Sequence, residues 1–109
     1  MRQYEVWWAT LPQPAGDRPV LLLTRDEAYR YLSRVTVVEI TSRAFGIAQE
    51  VQVGRREGLP HASVARCDNL ASVPKRLLRR RMGRLPLTRV GELKRALGFA
   101  LGWEELARL

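Results

Sequence analysis

The chain has 109 residues with one cysteine, Cys67, and one histidine, His61; that length predicts a single domain over residues 1–109 whose core needs no metal or disulfide. These counts exclude an intrachain disulfide and leave too few ligands for a structural zinc site, and no apolar run approaches the roughly 20 residues of a membrane helix. Nineteen Lys plus Arg against eleven Asp plus Glu give a net charge of +8, and every cation except Lys75 and Lys94 is an arginine, whose planar fork suits phosphate and favours a polyanionic partner.

The first predicted element is a strand over Tyr4 to Ala9, with Tyr4, Val6 and Trp8 on one face and Glu5, Trp7 and Ala9 on the other. Trp7 and Trp8 therefore point in opposite directions. One belongs to the core, and the other is expected to pack beneath the chain's C-terminal helix rather than in an oligomer interface or against a ligand. Leu11-Pro12-Gln13-Pro14-Ala15-Gly16-Asp17 is a turn, because two prolines and a glycine interrupt any ladder. A second strand runs from Arg18 to about Thr24. Asp26 then offers an N-cap for a short helix through Tyr29.

A third strand spans Val35 to Thr41, and a fourth runs from about Ala48 to Val53, where Val51 and Val53 alternate with Gln52 and Gly54 ends the run. Gly58-Leu59-Pro60 is a turn, and Ser63 to Cys67 a further strand. Lys75 to Arg84 holds six cations in ten residues; leucines between the charges predict a folded element with a basic outer surface rather than a disordered tail. From Pro86 the period changes. Val90, Leu93, Leu97, Ala100 and Leu101 share one helical face, and Gly102 is a natural stop, with another helical turn after Trp103.

Several of these segments occur in the order seen in a known family. Glu5-Val6-Trp7, Arg18-Pro19-Val20-Leu21-Leu22-Leu23-Thr24, Ile40-Thr41-Ser42 and Gly58-Leu59-Pro60 come first. Ser63-Val64-Ala65-Arg66-Cys67-Asp68-Asn69, Arg81-Met82-Gly83-Arg84-Leu85 and the amphipathic stretch through Glu92, Leu93, Ala96 and Leu97 complete the series. From about Tyr4 to Trp103 the chain resembles the MazF/PemK toxin endoribonucleases. It departs from their pattern in having Tyr4 where a glycine is usual and a short loop before Arg18. The resemblance selects an α+β, mainly β fold: a small SH3-like antiparallel barrel of the CcdB/MazF type, with a short intervening helix and a C-terminal helix.

The resemblance also implies an activity, which is metal-independent cleavage of single-stranded RNA to 2′,3′-cyclic phosphate and 5′-OH ends, without a cofactor. It implies a homodimer, inhibition of translation, and a cognate MazE-like antitoxin whose acidic tail occupies the RNA groove; the single cysteine and the polar stretch Met1 to Glu5 point to the cytoplasm as the compartment. On residue type alone Arg18 is a surface ion-pair partner for Asp17 or Glu5, and Thr41 an ordinary strand threonine. The resemblance makes them catalytic, with Arg18 neutralising charge on the phosphoryl oxygens and Thr41 donating to the phosphate or fixing the attacking hydroxyl. Glu39, two residues before Thr41 on the same strand face, ranks first as the base or as an orienter of Arg18. Asp17 is a second candidate base. His61 has suitable chemistry but lies in a turn far along the chain. Lys75, Arg79, Arg80, Arg81 and Arg84 are expected to track the RNA backbone, the alternatives being a solvated face or a docking surface for an acidic partner. Two other readings share the barrel: a CcdB-like gyrase poison, which Trp103 near the end favours, and an RNA-binding barrel without activity.

Overall fold

The computed structural model describes residues 1–109. Six strands, β1 (Glu5–Thr10), β2 (Asp17–Leu22), β3 (Arg34–Thr41), β4 (Glu50–Val53), β5 (Ser63–Pro74) and β6 (Leu78–Arg84), form one antiparallel sheet in the order β4-β5-β3-β2-β1-β6. Helix α1 (Val90–Leu101) and the short α2 (Glu104–Ala107) follow. The sheet curls as the small barrel requires. None of the helices is long and apolar enough to cross a membrane.

Alternation along the central strands explains why both faces of the sheet are apolar. In β2, Leu21 enters one cluster while Val20 and Leu22 enter another; in β3, Val38 and Ile40 join the first and Val35 and Val37 the second. Each of these side chains is almost wholly buried, and burial of that kind is worth about 1.5–3 kcal/mol per side chain. Leu93 and Ala96 of α1 cover the first cluster, which also holds Val6 and Leu85. Tyr29 and Leu11 help cover the second. Gly102, with φ +74, ends α1 at the expected place.

Closure depends on two glycines. Beyond β4, a 3₁₀ turn at Arg55–Glu57 leads into Gly58, whose φ is +94, a conformation that side chains oppose. A Cβ on Gly58 would collide with the Met82 carbonyl, and one on Gly83 with the Glu57 carbonyl. The two backbones thus meet directly, bringing the turn after β4 against β6 at the far edge of the sheet. Leu59, Pro60 and His61 are thereby carried toward β1 and β2.

The structure corrects several sequence expectations. Asp26 is not a helix cap: it begins a 3₁₀ turn, Asp26–Arg30, and its carboxylate accepts the Gln3 N–H at 2.6 Å. β5 runs on to Pro74 rather than ending at Cys67, since its second half pairs with β3 from Leu70↔Val38 to Pro74↔Arg34. Tertiary pairing there overrides the weak strand propensity of Asp68 and Asn69. The Lys75–Arg84 stretch, by contrast, is folded with a basic outer surface as expected: a 3₁₀ turn, Lys75–Leu77, followed by β6. Neither Trp7 nor Trp8 packs beneath α1. Trp7 lies on the second cluster, and Trp8 lines a cleft, because α1 docks through Leu93 and Ala96 on the first cluster.

Candidate active site

The β2–β3 ladder pairs Leu21 with Val38 and Val20 with Glu39, and the same register continued brings Arg18 level with Thr41. Both side chains line a cleft of about 310 Å³, together with Trp8 from β1, His61 and Ser63 from the loop into β5 and its first residue, and Met82 from β6. The expected convergence of Arg18 and Thr41 is therefore present. It follows from strand register, since two residues 23 positions apart in sequence are neighbours across a ladder.

Arg18 is held from behind. Its Nε donates to the Ala15 carbonyl at 3.0 Å and its Nη1 to Glu39 Oε1 at 3.3 Å, which occupies only part of the five-donor fork. The pair is half-buried, with 29% and 19% of the two side chains exposed. Asp17 and Glu5 are not its partners. Asp17 is exposed, while Glu5 accepts Trp7 Nε1 at 3.0 Å and Arg81 Nε at 2.9 Å. Burial works against ionisation of Glu5, but hydrogen bonds from Trp7, the Arg2 N–H and Arg81 outweigh it and hold the carboxyl below the usual carboxylate range. Glu39 sits against Arg18 and does not line the cleft. Thr41 Oγ1 accepts the Arg43 N–H at 3.2 Å, leaving the hydroxyl proton available to a ligand.

A wider groove of about 730 Å³ continues from the cleft, and Ser42 and Ser63 line both. Arg55, Arg56 and Arg89 stand on its walls. Arg89 is committed to the fold: Nε donates to Glu92 at 2.7 Å, Nη1 to Glu57 at 3.3 Å and Nη2 to the Gln52 carbonyl at 2.6 Å. Hydrogen bonding with Arg89 in turn holds the Glu92 carboxyl low, against its burial. Arg55 and Arg56 are exposed and take part in none of the salt bridges.

The loop between β3 and β4 borders the same groove through Ser42 and Ala44. Its conformation rests on Glu50, whose side chain is only 3% exposed. That carboxylate accepts the Phe45 N–H at 3.1 Å and the Gly46 N–H at 2.9 Å, and pairs with Arg66 at 2.9 Å. Burial opposes its ionisation, yet these donors prevail and keep the carboxyl below its usual range. Arg66 also stacks over the Phe45 ring at 4.6 Å and donates to the Arg43 carbonyl.

The structure divides the basic cluster of β6. Arg81 is engaged by Glu5, Arg79 Nε donates to Thr10 Oγ1 at 3.2 Å, and Lys75 Nζ donates to the Tyr29 carbonyl at 2.6 Å. Arg80 is exposed and stands opposite Trp8 in the β1–β6 ladder, and Arg84 is exposed opposite Glu5. Sequence reading passed over Arg55 and Arg56 because two arginines in a turn carry little signal beside six cations in ten residues. It discounted His61 by distance along the chain. The available signal was the Gly58-Leu59-Pro60 turn, which fixes where the next residue goes. Cys67 offers no nucleophile, because burial, helped by Asp68, pushes its thiol up to about 12. No three His, Cys, Asp or Glu side chains come together in a group able to hold a metal ion.

Residues 2–101 match the family described as PemK-like, MazF-like toxin of type II toxin-antitoxin system. Two relatives from Mycobacterium tuberculosis are similar over most of the chain. One, named probable endoribonuclease MazF2, is 36% identical over 103 residues, covering 94% of this chain and 99% of the relative. The other, named endoribonuclease MazF3, is 41% identical over 88 residues, covering 79% and 85%. Among solved structures, Mycobacterium tuberculosis toxin MazF-mt6 superposes with a TM-score of 0.84 at 37% identity, over 90% of this chain and 96% of that one.

Proposed function

The chain belongs to the PemK-like, MazF-like toxins of type II toxin-antitoxin systems, and from that premise we propose that it is an endoribonuclease that cuts single-stranded RNA and so inhibits translation. The observation that carries this reading is a guanidinium anchored on two sides by Ala15 and Glu39, beside a threonine hydroxyl whose proton is free, at the floor of an open cleft. Donors fixed before the substrate arrives stabilise charge that develops on a phosphoryl group without reorganising.

Each proposed residue has a distinct task. Arg18 forks onto nonbridging oxygens of the scissile phosphate with the N–H groups that Ala15 and Glu39 leave open. Thr41 donates to the same phosphate. Glu39 orients Arg18, since its carboxylate is occupied by the guanidinium. The flanking backbone of the RNA is held by Arg80 beside Trp8 on one side and by Arg55 and Arg56 along the wider groove on the other. Arg79, Arg81, Arg84 and Lys75 add to the positive field around that path. The protein acts in the cytoplasm as a homodimer, and a cognate antitoxin with an acidic tail blocks the same basic groove.

Incubation of the purified protein with a long single-stranded RNA in excess EDTA tests the reading. Discrete fragments are expected, each carrying a 2′,3′-cyclic phosphate on the upstream piece and a 5′-OH on the downstream one. Cleavage that requires added magnesium overturns the proposed chemistry, and a gel shift without cleavage leaves only an RNA-binding barrel.

A further inference from the structure

We propose that His61 is the catalytic base of this cleft, taking the proton from the attacking ribose 2′-OH. The inference rests on the endoribonuclease reading above and supplies what that reading lacks, a group that can accept a proton. Arg18 stays charged and is a poor acceptor, and Glu39 is spent on Arg18. Asp17 is not among the residues lining the cleft. His61 is, and it reaches the cleft because the Gly58–Gly83 contact carries the turn after β4 onto the sheet edge.

The contacts of the imidazole are compatible with the tautomer this step needs. Nδ1 lies 3.3 Å from the Ala62 carbonyl and 3.5 Å from Ser63 Oγ. A carbonyl oxygen can only accept, so with Nδ1 as donor to Ala62 the lone pair is on Nε2, as the proposal requires. Ser63 is 8% exposed, and its hydroxyl donates to the His61 carbonyl at 3.3 Å, which fixes the backbone on which the ring is mounted. Arg18 is the one charged side chain lining the cleft with His61, and Glu39 stands behind it. β1, β3, β6 and the turn contribute Trp8, Ile40, Met82 and Leu59, none of which titrates near neutrality.

The step balances as follows. His61 Nε2 takes the 2′-OH proton as O2′ bonds to phosphorus, and the P–O5′ bond breaks. Water at the open cleft protonates the departing O5′, and the resulting hydroxide is neutralised by the proton on His61. The upstream strand is left with a cyclic phosphate and the downstream strand with a 5′-OH.

Single-turnover cleavage of a long RNA by the intact wild-type protein, His61→Gln and His61→Ala, followed across pH with RNA affinity measured in parallel, tests the assignment. The wild-type rate is expected to rise with pH along a limb of slope one and then level off. His61→Gln is expected to bind RNA as wild type does, to cleave about 10²-fold more slowly and to lose that limb. Added imidazole restores part of the rate to His61→Ala in proportion to its free-base concentration. A His61→Gln protein that keeps the wild-type profile overturns the base assignment while leaving the endoribonuclease reading intact. So does a slow variant that keeps the limb and is not rescued in His61→Ala, since that marks a structural role. A wild-type protein that does not cleave RNA at any pH removes both readings together.

Discussion

Two arginine–carboxylate pairs lie on neighbouring parts of the sheet, and they are built differently. Arg66 and Glu50 meet at 2.9 Å with side chains 17% and 3% exposed; Arg18 and Glu39 meet at 3.3 Å with 29% and 19% exposed. Glu50 is saturated, because backbone N–H groups of the β3–β4 loop take the lone pairs that Arg66 leaves, and Arg66 is itself stacked on Phe45. Arg18 keeps part of its fork open toward a cleft. The same two residue types thus pin a loop in one place and face a cleft in the other. What distinguishes them is the saturation of the carboxylate and where the unused donors lie: Arg66 Nε is buried without a partner, whereas Arg18 lines a cleft.

Removing the carboxylate that pins the loop is expected to have the largest effect. Glu50→Ala leaves a partly buried guanidinium and loop N–H groups without their acceptor, and is expected to cost about 3–5 kcal/mol of stability, measured as a lower urea midpoint at unchanged slope. The pH dependence sharpens the point. The folded Glu50 carboxyl lies below its ordinary value, so its contribution is fully present above the unfolded carboxylate value of about 4.3 and is lost as pH falls through the lower folded value. Glu5 and Glu92 are lowered too and act in the same sense. Wild-type stability is expected to fall in that acid window, and Glu50→Ala to fall less steeply. Equal acid sensitivity in the two proteins breaks the contrast from this side.

Arg18→Ala attacks the open pair. It is expected to slow cleavage by about 10²-fold or more with little change in the urea midpoint, as for loss of one preorganised donor. Arg18→Lys is also expected to be impaired, because an ammonium does not reproduce the fork. A fully active Arg18→Ala protein removes the site from this cleft.

The smallest effect belongs to the exposed arginines that no pair holds. Each phosphate contact contributes about 0.7 to the salt slope of single-strand binding, so Arg55→Ala with Arg56→Ala is expected to lower that slope by about 1.4. The triple change of Arg79, Arg80 and Arg81 to alanine is expected to lower it less, since Arg81 and Arg79 already have protein partners. Turnover at saturating RNA changes little in either variant, because backbone contacts made alike in ground and transition states govern affinity. A steeper loss in the β6 triple variant moves the RNA path onto that strand.

By itself, the sequence determined the strands that alternate cleanly and the helix after Pro86 with its stop at Gly102. Such features depend on side-chain period and on turn chemistry, which are local and legible. It also separated Trp7 from Trp8, since a strand must alternate. Tertiary structure alone decided what each of those side chains meets. Glu39 lies beside Arg18 because β2 and β3 pair in one register, and His61 reaches the cleft because two glycine backbones touch across the closing sheet. Which arginines are free depends on where the acidic side chains finish: Glu5 takes Arg81, Glu57 and Glu92 take Arg89, and Glu50 takes Arg66. A count of charges along the chain holds no record of that allocation, because these four pairings join residues 3 to 76 positions apart.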